Sequence, residues 1–149
     1  MNDREVTWIL VVDERGARLL RGRASGSGNT RFLRLERVAE IENSWMELCE
    51  TKSSTGPSTS NGDQRRRRAE FLQRYAAELG RWLAEEAREH GILELELFAP
   101  LPLALVLRRE RPQGFSARIH EHQLDLGRLT PERLETHPAV CALFRSQAG

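Results

Sequence analysis

An α/β domain, a mixed β-sheet with flanking helices, is the fold that this 149-residue sequence predicts, and three observations carry the expectation. Thr7-Trp8-Ile9-Leu10-Val11-Val12 is an unbroken β-branched and aromatic run, the pattern of a central strand buried on both faces. Leu72, Tyr75, Ala76, Leu79, Trp82, Leu83 and Ala87 recur at helical spacing and form one apolar stripe. That helix leads into Leu93-Glu94-Leu95-Glu96-Leu97-Phe98-Ala99, whose alternation is that of a strand, and helix then strand is the second half of a crossover unit.

The remaining elements follow in order. Asp13-Glu14-Arg15-Gly16 supplies turn residues, so Ala17 to Arg21 reads as a strand returning in a hairpin. Gly22 to Asn29, with Ser25-Gly26-Ser27-Gly28, reads as a flexible connection. Arg31 to Ile41 places Phe32, Leu33, Leu35, Val38 and Ile41 on a third strand, which completes an antiparallel meander. Residues 42–63 dissolve into Ser, Thr, Gly and Pro, a long flexible loop in which disorder is expected from about Thr51 to Gly62. Trp45, Met46 and Leu48 interrupt it, and packing is the expected use of such side chains.

The long helix carries Arg74, Glu78, Arg81 and Glu85 as ion-pair ladders on its outer face and stops at His90-Gly91. Past Pro100, Leu103 to Arg109 predicts a short helix stopped near Pro112, and Ala117 to Leu124 a last strand. Leu129-Thr130-Pro131-Glu132 is a helix start, with Thr130 as N-cap, Pro131 in the first turn and Leu129 set to pack on Leu134; His137-Pro138 closes that helix.

Composition narrows the function. With 39% hydrophobic and 30% charged residues the chain can build one real core, so residues 1–149 are expected to form a single domain. The net charge is +1, so affinity for a polyanion must come from local clustering. Two clusters exist: Arg15, Arg18, Arg21, Arg23, Arg31, Arg34 and Arg37 in the meander, and Arg65-Arg66-Arg67-Arg68 at the start of the long helix. The second sits where the helix macrodipole is already positive, so each cation there costs about 0.3–1 kcal/mol unless an anion answers it. On the helical wheel Arg65 and Arg68 fall in line with the apolar stripe, so this turn must project past the edge of the sheet.

Other chemistry has less support. Cys49 and Cys141 form no Cys-x-x-Cys pair, which argues against a disulfide scaffold or a zinc module, and Val6 to Val12 is too short for a signal segment or a membrane span, so a cytoplasmic protein is expected. His120-Glu121-His122 near Asp125 puts two imidazoles on one side of a strand, but no third ligand follows at a known metal-site spacing, and no metal or other cofactor is expected. Glu85 with Glu86, and Glu94 with Glu96, are explained by solvent-facing surfaces, and neither Gly-x-x-x-x-Gly-Lys nor Gly-x-Gly-x-x-Gly is present.

The residues also carry a resemblance. Gly62-Asp63-Gln64 before a basic run and a long amphipathic helix resembles the middle domain of the eukaryotic and archaeal peptide release factor, whose mobile loop carries a Gly-Gly-Gln triplet. Over nearly its whole length, from Thr7-Trp8-Ile9-Leu10-Val11-Val12-Asp13 to Leu124-Asp125-Leu126 and Thr130-Pro131-Glu132-Arg133-Leu134, the chain is similar to a bacterial offshoot of that superfamily often labelled "host attachment protein". The resemblance implies a ribonuclease H-like fold of the kind found in translational machinery components, and a role near tRNA or the ribosome. Matched by position, Gly62, Asp63 and Gln64 would be the catalytic residues of a peptidyl-tRNA or ester hydrolase. Asp63, however, replaces the second glycine and brings a carboxylate toward phosphate, and its ordinary use is an N-cap. The leading expectation is therefore a non-enzymatic module that binds tRNA or ribosomal RNA through Arg65, Arg66, Arg67 and Arg68. The alternatives are that hydrolase and a protein-interaction or host-attachment factor, with Trp45 and Met46 as its contacts.

Overall fold

The computed structural model describes residues 6–26, 32–45, 61–112 and 114–145; the side chains of residues 61–64 and 145 fall outside the description. Five strands are described: β1 (Val6–Val12), β2 (Gly16–Ser25), β3 (Phe32–Glu42), β4 (Glu94–Phe98) and β5 (Arg118–His122). They form one sheet in the order β3-β2-β1-β4-β5. β2 runs antiparallel to both β1 and β3, whereas β4 is parallel to β1 and β5 parallel to β4, so β2 alone runs against the other four. The helices are α1 (Asn61–His90), α2 (Leu101–Arg109), α3 (Pro131–Glu135) and α4 (Pro138–Arg145).

β1 lies at the centre, as its sequence requires, and its alternate side chains enter two separate cores. Leu10 and Val12, with Leu19, Leu95 and Leu97, pack against Tyr75, Leu79 and Leu83 of α1 and Leu103 of α2. Ile9 and Val11, with Leu20 and Phe98, pack against Leu134 of α3 and Val140 and Phe144 of α4. Burying both faces of the same strand is what makes a continuous apolar run favourable there, each fully buried aliphatic side chain being worth about 1.5–3 kcal/mol.

The hairpin between β1 and β2 is held locally. Asp13 Oδ1 accepts the backbone N–H groups of Arg15 (2.8 Å) and Gly16 (3.0 Å), and the Asp13 N–H donates to the Gly16 carbonyl at 2.9 Å. β2 then continues through Gly22 to Ser25, four residues expected in the connection; residues 27–31 lie outside the described residues. Opposite it, β3 carries a bulge at Val38, between the pairs Leu19↔Ala39 and Leu20↔Arg37. The extra residue switches the strand's buried face: Leu33 and Leu35 join the core under α3 and α4, whereas Ala39 and Ile41 join the core under α1. β3 is also an edge strand, and its Leu35 N–H donates at 2.7 Å to Glu135 Oε2 at the end of α3.

Gly91 ends α1 with φ +64°, the left-handed turn that glycine adopts without a steric penalty. Leu93, expected inside, is exposed, because β4 begins one residue later. The α3 start is as the sequence predicts, Thr130 Oγ1 accepting the Arg133 N–H at 3.3 Å, and Leu129 packs in the same core as Leu134. His137-Pro138 ends α3 but also opens α4, a helix the sequence reading did not anticipate. Among the described residues, no helix is long and apolar enough to cross a membrane.

Candidate nucleic-acid interface

α1 spans 30 residues, about 45 Å at 1.5 Å per residue, against roughly 23 Å for the seven residues of β1 and roughly 36 Å for the eleven of β3, the longest described strand, so the helix is longer than the sheet it crosses. Its C-terminal end is fixed by the short turn into β4, where the Ile92 N–H donates to the Ala87 carbonyl at 2.8 Å. A second anchor lies near its middle: the Tyr75 hydroxyl donates at 2.9 Å to the carbonyl of Asp13, just beyond the carboxyl end of β1. Counting back from Tyr75, Arg68 lies about 10 Å and Arg65 about 15 Å farther along the helix. The arginine turn therefore projects past the carboxyl edge of the sheet, as the wheel argument requires.

Arg65, Arg66 and Arg68 are exposed and Arg67 is half-buried. Among the described residues no carboxylate pairs with any of the four. Some of the arginines elsewhere are paired. Arg21 is paired with Glu36 at 2.5 Å, Arg37 with Glu40 at 3.4 Å, and Arg108 with Glu121 through a forked contact. Arg21 donates a hydrogen bond that holds the Glu36 carboxyl below its ordinary range. Two of the meander arginines, Arg21 and Arg37, are thus answered internally; Arg15, Arg18, Arg23 and Arg34 share with the overhang cluster the lack of a carboxylate at ion-pair distance among the described residues, but only the overhang gathers four such arginines in one helical turn.

Gly62, Asp63 and Gln64 have helical backbone, because α1 opens at Asn61. Asp63 accordingly lies within the first turn and not at the N-cap position expected for it. The long polar stretch preceding the helix falls mostly at residues 46–60, which lie outside the described residues together with Met46, Leu48 and Cys49. Trp45 is described, and its contacts are internal. Its ring stacks on Phe71 (centroids 6.1 Å apart), the Arg74 guanidinium lies 5.3 Å from its centroid, and its Nε1 donates to Glu78 Oε2 at 3.0 Å. These contacts brace the overhanging half of α1 and draw Trp45 away from any role as an exposed contact.

The histidine pair is separated in the structure by its partners. His122 stacks on Phe98 with centroids 4.6 Å apart and bonds Glu96 at 2.9 Å, Glu121 is held by Arg108, and His120 is exposed. A different grouping, Glu86, Glu89 and His90, brings three ligand atoms within 4.8 Å of one another on the surface of α1. Its His90–Glu86 contact of 3.2 Å has the (i, i+4) spacing of ordinary helix-surface pairs.

A family model described as "Protein required for attachment to host cells" matches residues 8–137. No curated protein matches the chain.

Proposed function

We propose a binding role, without catalysis, for this chain, which belongs to the family described as proteins required for attachment to host cells. The docking element is the N-terminal overhang of α1, and its ligand is the phosphate backbone of tRNA or ribosomal RNA. One observation carries this reading: exposed guanidiniums with no carboxylate partner among the described residues, gathered at the positive end of a helix dipole and held clear of the sheet. A phosphate chain lowers the energy of the arginines and of the dipole together. The strand order β3-β2-β1-β4-β5, with β2 alone reversed, supports the ribonuclease H-like reading of the fold and with it the kinship to translational components. The hydrolase reading is weaker, since the helical backbone at Gly62 to Gln64 differs from the mobile loop that carries the triplet in the release factor.

Ribosome co-sedimentation across a salt series tests the proposal. With four phosphate contacts on single-stranded RNA the slope of log affinity against log salt is about −0.7 per contact, so raising salt from 50 to 200 mM weakens retention about 50-fold. Arg65→Ser, Arg66→Ser and Arg68→Ser together leave about a three-fold dependence and weak binding at low salt. Equal retention of the wild type and the triple variant at every salt concentration overturns the reading. The family description favours a second one, in which the same surface meets a host-cell component. Its signature is loss of adhesion to host cells in the triple variant with ribosome retention unchanged.

A further inference from the structure

A cleft of about 560 Å³ opens at the same edge of the sheet, apart from the arginine overhang. β1, β3, β4 and β5 all point their carboxyl ends toward this edge, and in open α/β sheets ligands settle in the crevice outside those ends. Its charged lining consists of three arginines, Arg15, Arg18 and Arg128, and three carboxylates, Asp13, Glu40 and Glu42. A polyanion entering it would meet the carboxylates and a polycation the arginines. A ligand carrying one charge of each sign would satisfy both.

Two groups are poised for such a ligand. Half-buried Arg18 donates from Nη2 to the carbonyls of Leu126 (3.4 Å) and Gly127 (3.2 Å), and among the described residues no carboxylate reaches it at ion-pair distance. Burial pulls its pKa below the ordinary arginine value, while Asp13 and Glu40, near enough to be felt, act the other way. Asp13 uses Oδ1 for the hairpin N–H groups, while its Oδ2 accepts no hydrogen bond from a described residue and lies against Gly127. A half-buried guanidinium with no carboxylate at ion-pair distance is costly, and a bound carboxylate would offset that cost.

We infer that this cleft binds a free α-amino acid, its carboxylate on the Arg18 guanidinium and its ammonium facing Asp13 Oδ2 and Glu40. The two charges of an amino acid sit on one carbon, which matches a cation and an anion that line one cleft without touching. The site is independent of the RNA reading and stands if that reading fails.

NMR titration of the ¹⁵N-labelled full chain tests the inference, the amides of Gly16 and Gly127 being the reporters. The probes are L-leucine, N-acetyl-L-leucine, which lacks the ammonium, and L-leucine amide, which lacks the carboxylate. Saturable shifts are expected with L-leucine, at least ten-fold weaker binding with each blocked analogue, and at least ten-fold loss in Arg18→Gln. Should Arg18→Gln misfold, Glu40→Gln on the exposed wall decides: it is expected to weaken L-leucine and leave the acetylated probe unaffected. Equal binding of either blocked analogue, an unchanged affinity in the folded variant, or no shift with L-leucine up to about 10 mM overturns the inference.

Discussion

Gly127→Ala sets two opposed effects against each other. The backbone at Gly127 lies outside the left-handed region, so alanine is allowed there and the loss of unfolded-state freedom alone would stabilise by about 0.4–1 kcal/mol. The new methyl group, however, would lie 2.2 Å from Asp13 Oδ2 and 2.5 Å from Asp13 Cβ and Cγ. Asp13 cannot retreat, since its side chain holds the hairpin N–H groups and its carbonyl holds Tyr75. The loop at Gly127 must move instead, and the two Arg18 hydrogen bonds to its carbonyls go with it. Overpacking costs about 1–3 kcal/mol and each of the two lost hydrogen bonds about 0.5–1.5 kcal/mol, so the clash outweighs the entropy gain by about 3 kcal/mol. Urea denaturation is expected to show a lower midpoint at unchanged slope, and Tm a fall of about 6–12 °C. Asp13→Ala removes the carboxylate and the side-chain bonds that pin the hairpin but leaves Cβ in place, so a double-mutant cycle is expected to recover only part of the loss, about 1–2 kcal/mol. A stabilised Gly127→Ala, or a cycle additive within about 0.5 kcal/mol, refutes the close packing of these two segments.

Two further predictions concern titration. Tyr75 is the only tyrosine, and burial first, then the charges of Asp13 and Glu78, push its phenol well above the ordinary range. A folded pKa raised in this way contributes stability that is fully present below the unfolded value near 10 and is lost progressively as pH rises from there toward the folded value. Tyrosinate absorbance at 295 nm is therefore expected to stay flat and then rise together with the loss of circular dichroism, and ionisation of the folded protein near pH 10 would count against it. Glu121 shows the opposite sign: the hydrogen bond from Arg108 holds its carboxyl below the usual range, so its contribution is present above the ordinary glutamate pKa and lost as pH falls through the folded value. Glu121→Gln is expected to lower Tm slightly at pH 7, by about 2–4 °C at most for so exposed a pair, and to match the wild type in acid; a gap that persists there assigns the loss to packing.

Much of the architecture was legible because local rules and tertiary needs agreed. The apolar run of β1, the stripe of α1 and the Thr130 cap each state their role within a few residues. Where they disagreed, a distant partner decided. Gly22 to Ser25 reads as a loop by composition, yet Gly22 is strand because it lies close to Phe144, more than a hundred residues away, where a methyl group would come within 2.7 Å of the ring. Pro138 reads as a stop, but proline also suits the first turn of a helix, and α4 uses it so. The alternation in β3 was obscured by the bulge at Val38, which exchanges the inward face midway. The arginine cluster could be found because it is contiguous. The cleft could not, since its charges come from the ends of β1 and β3, the start of β2 and the loop after β5, which only the folded sheet brings together.

The carboxylate of Glu135 on the Leu35 amide has a consequence for how copies of this chain treat one another. β3 borders the sheet along eleven residues, and an open border of that length offers a template on which a neighbouring chain can add a strand. By occupying one amide midway and laying a short helix alongside, Glu135 interrupts the template, and Arg34, Glu36, Arg37 and Glu40 keep the rest of the border charged. The open border of the sheet is thereby kept from pairing with the same border of another copy.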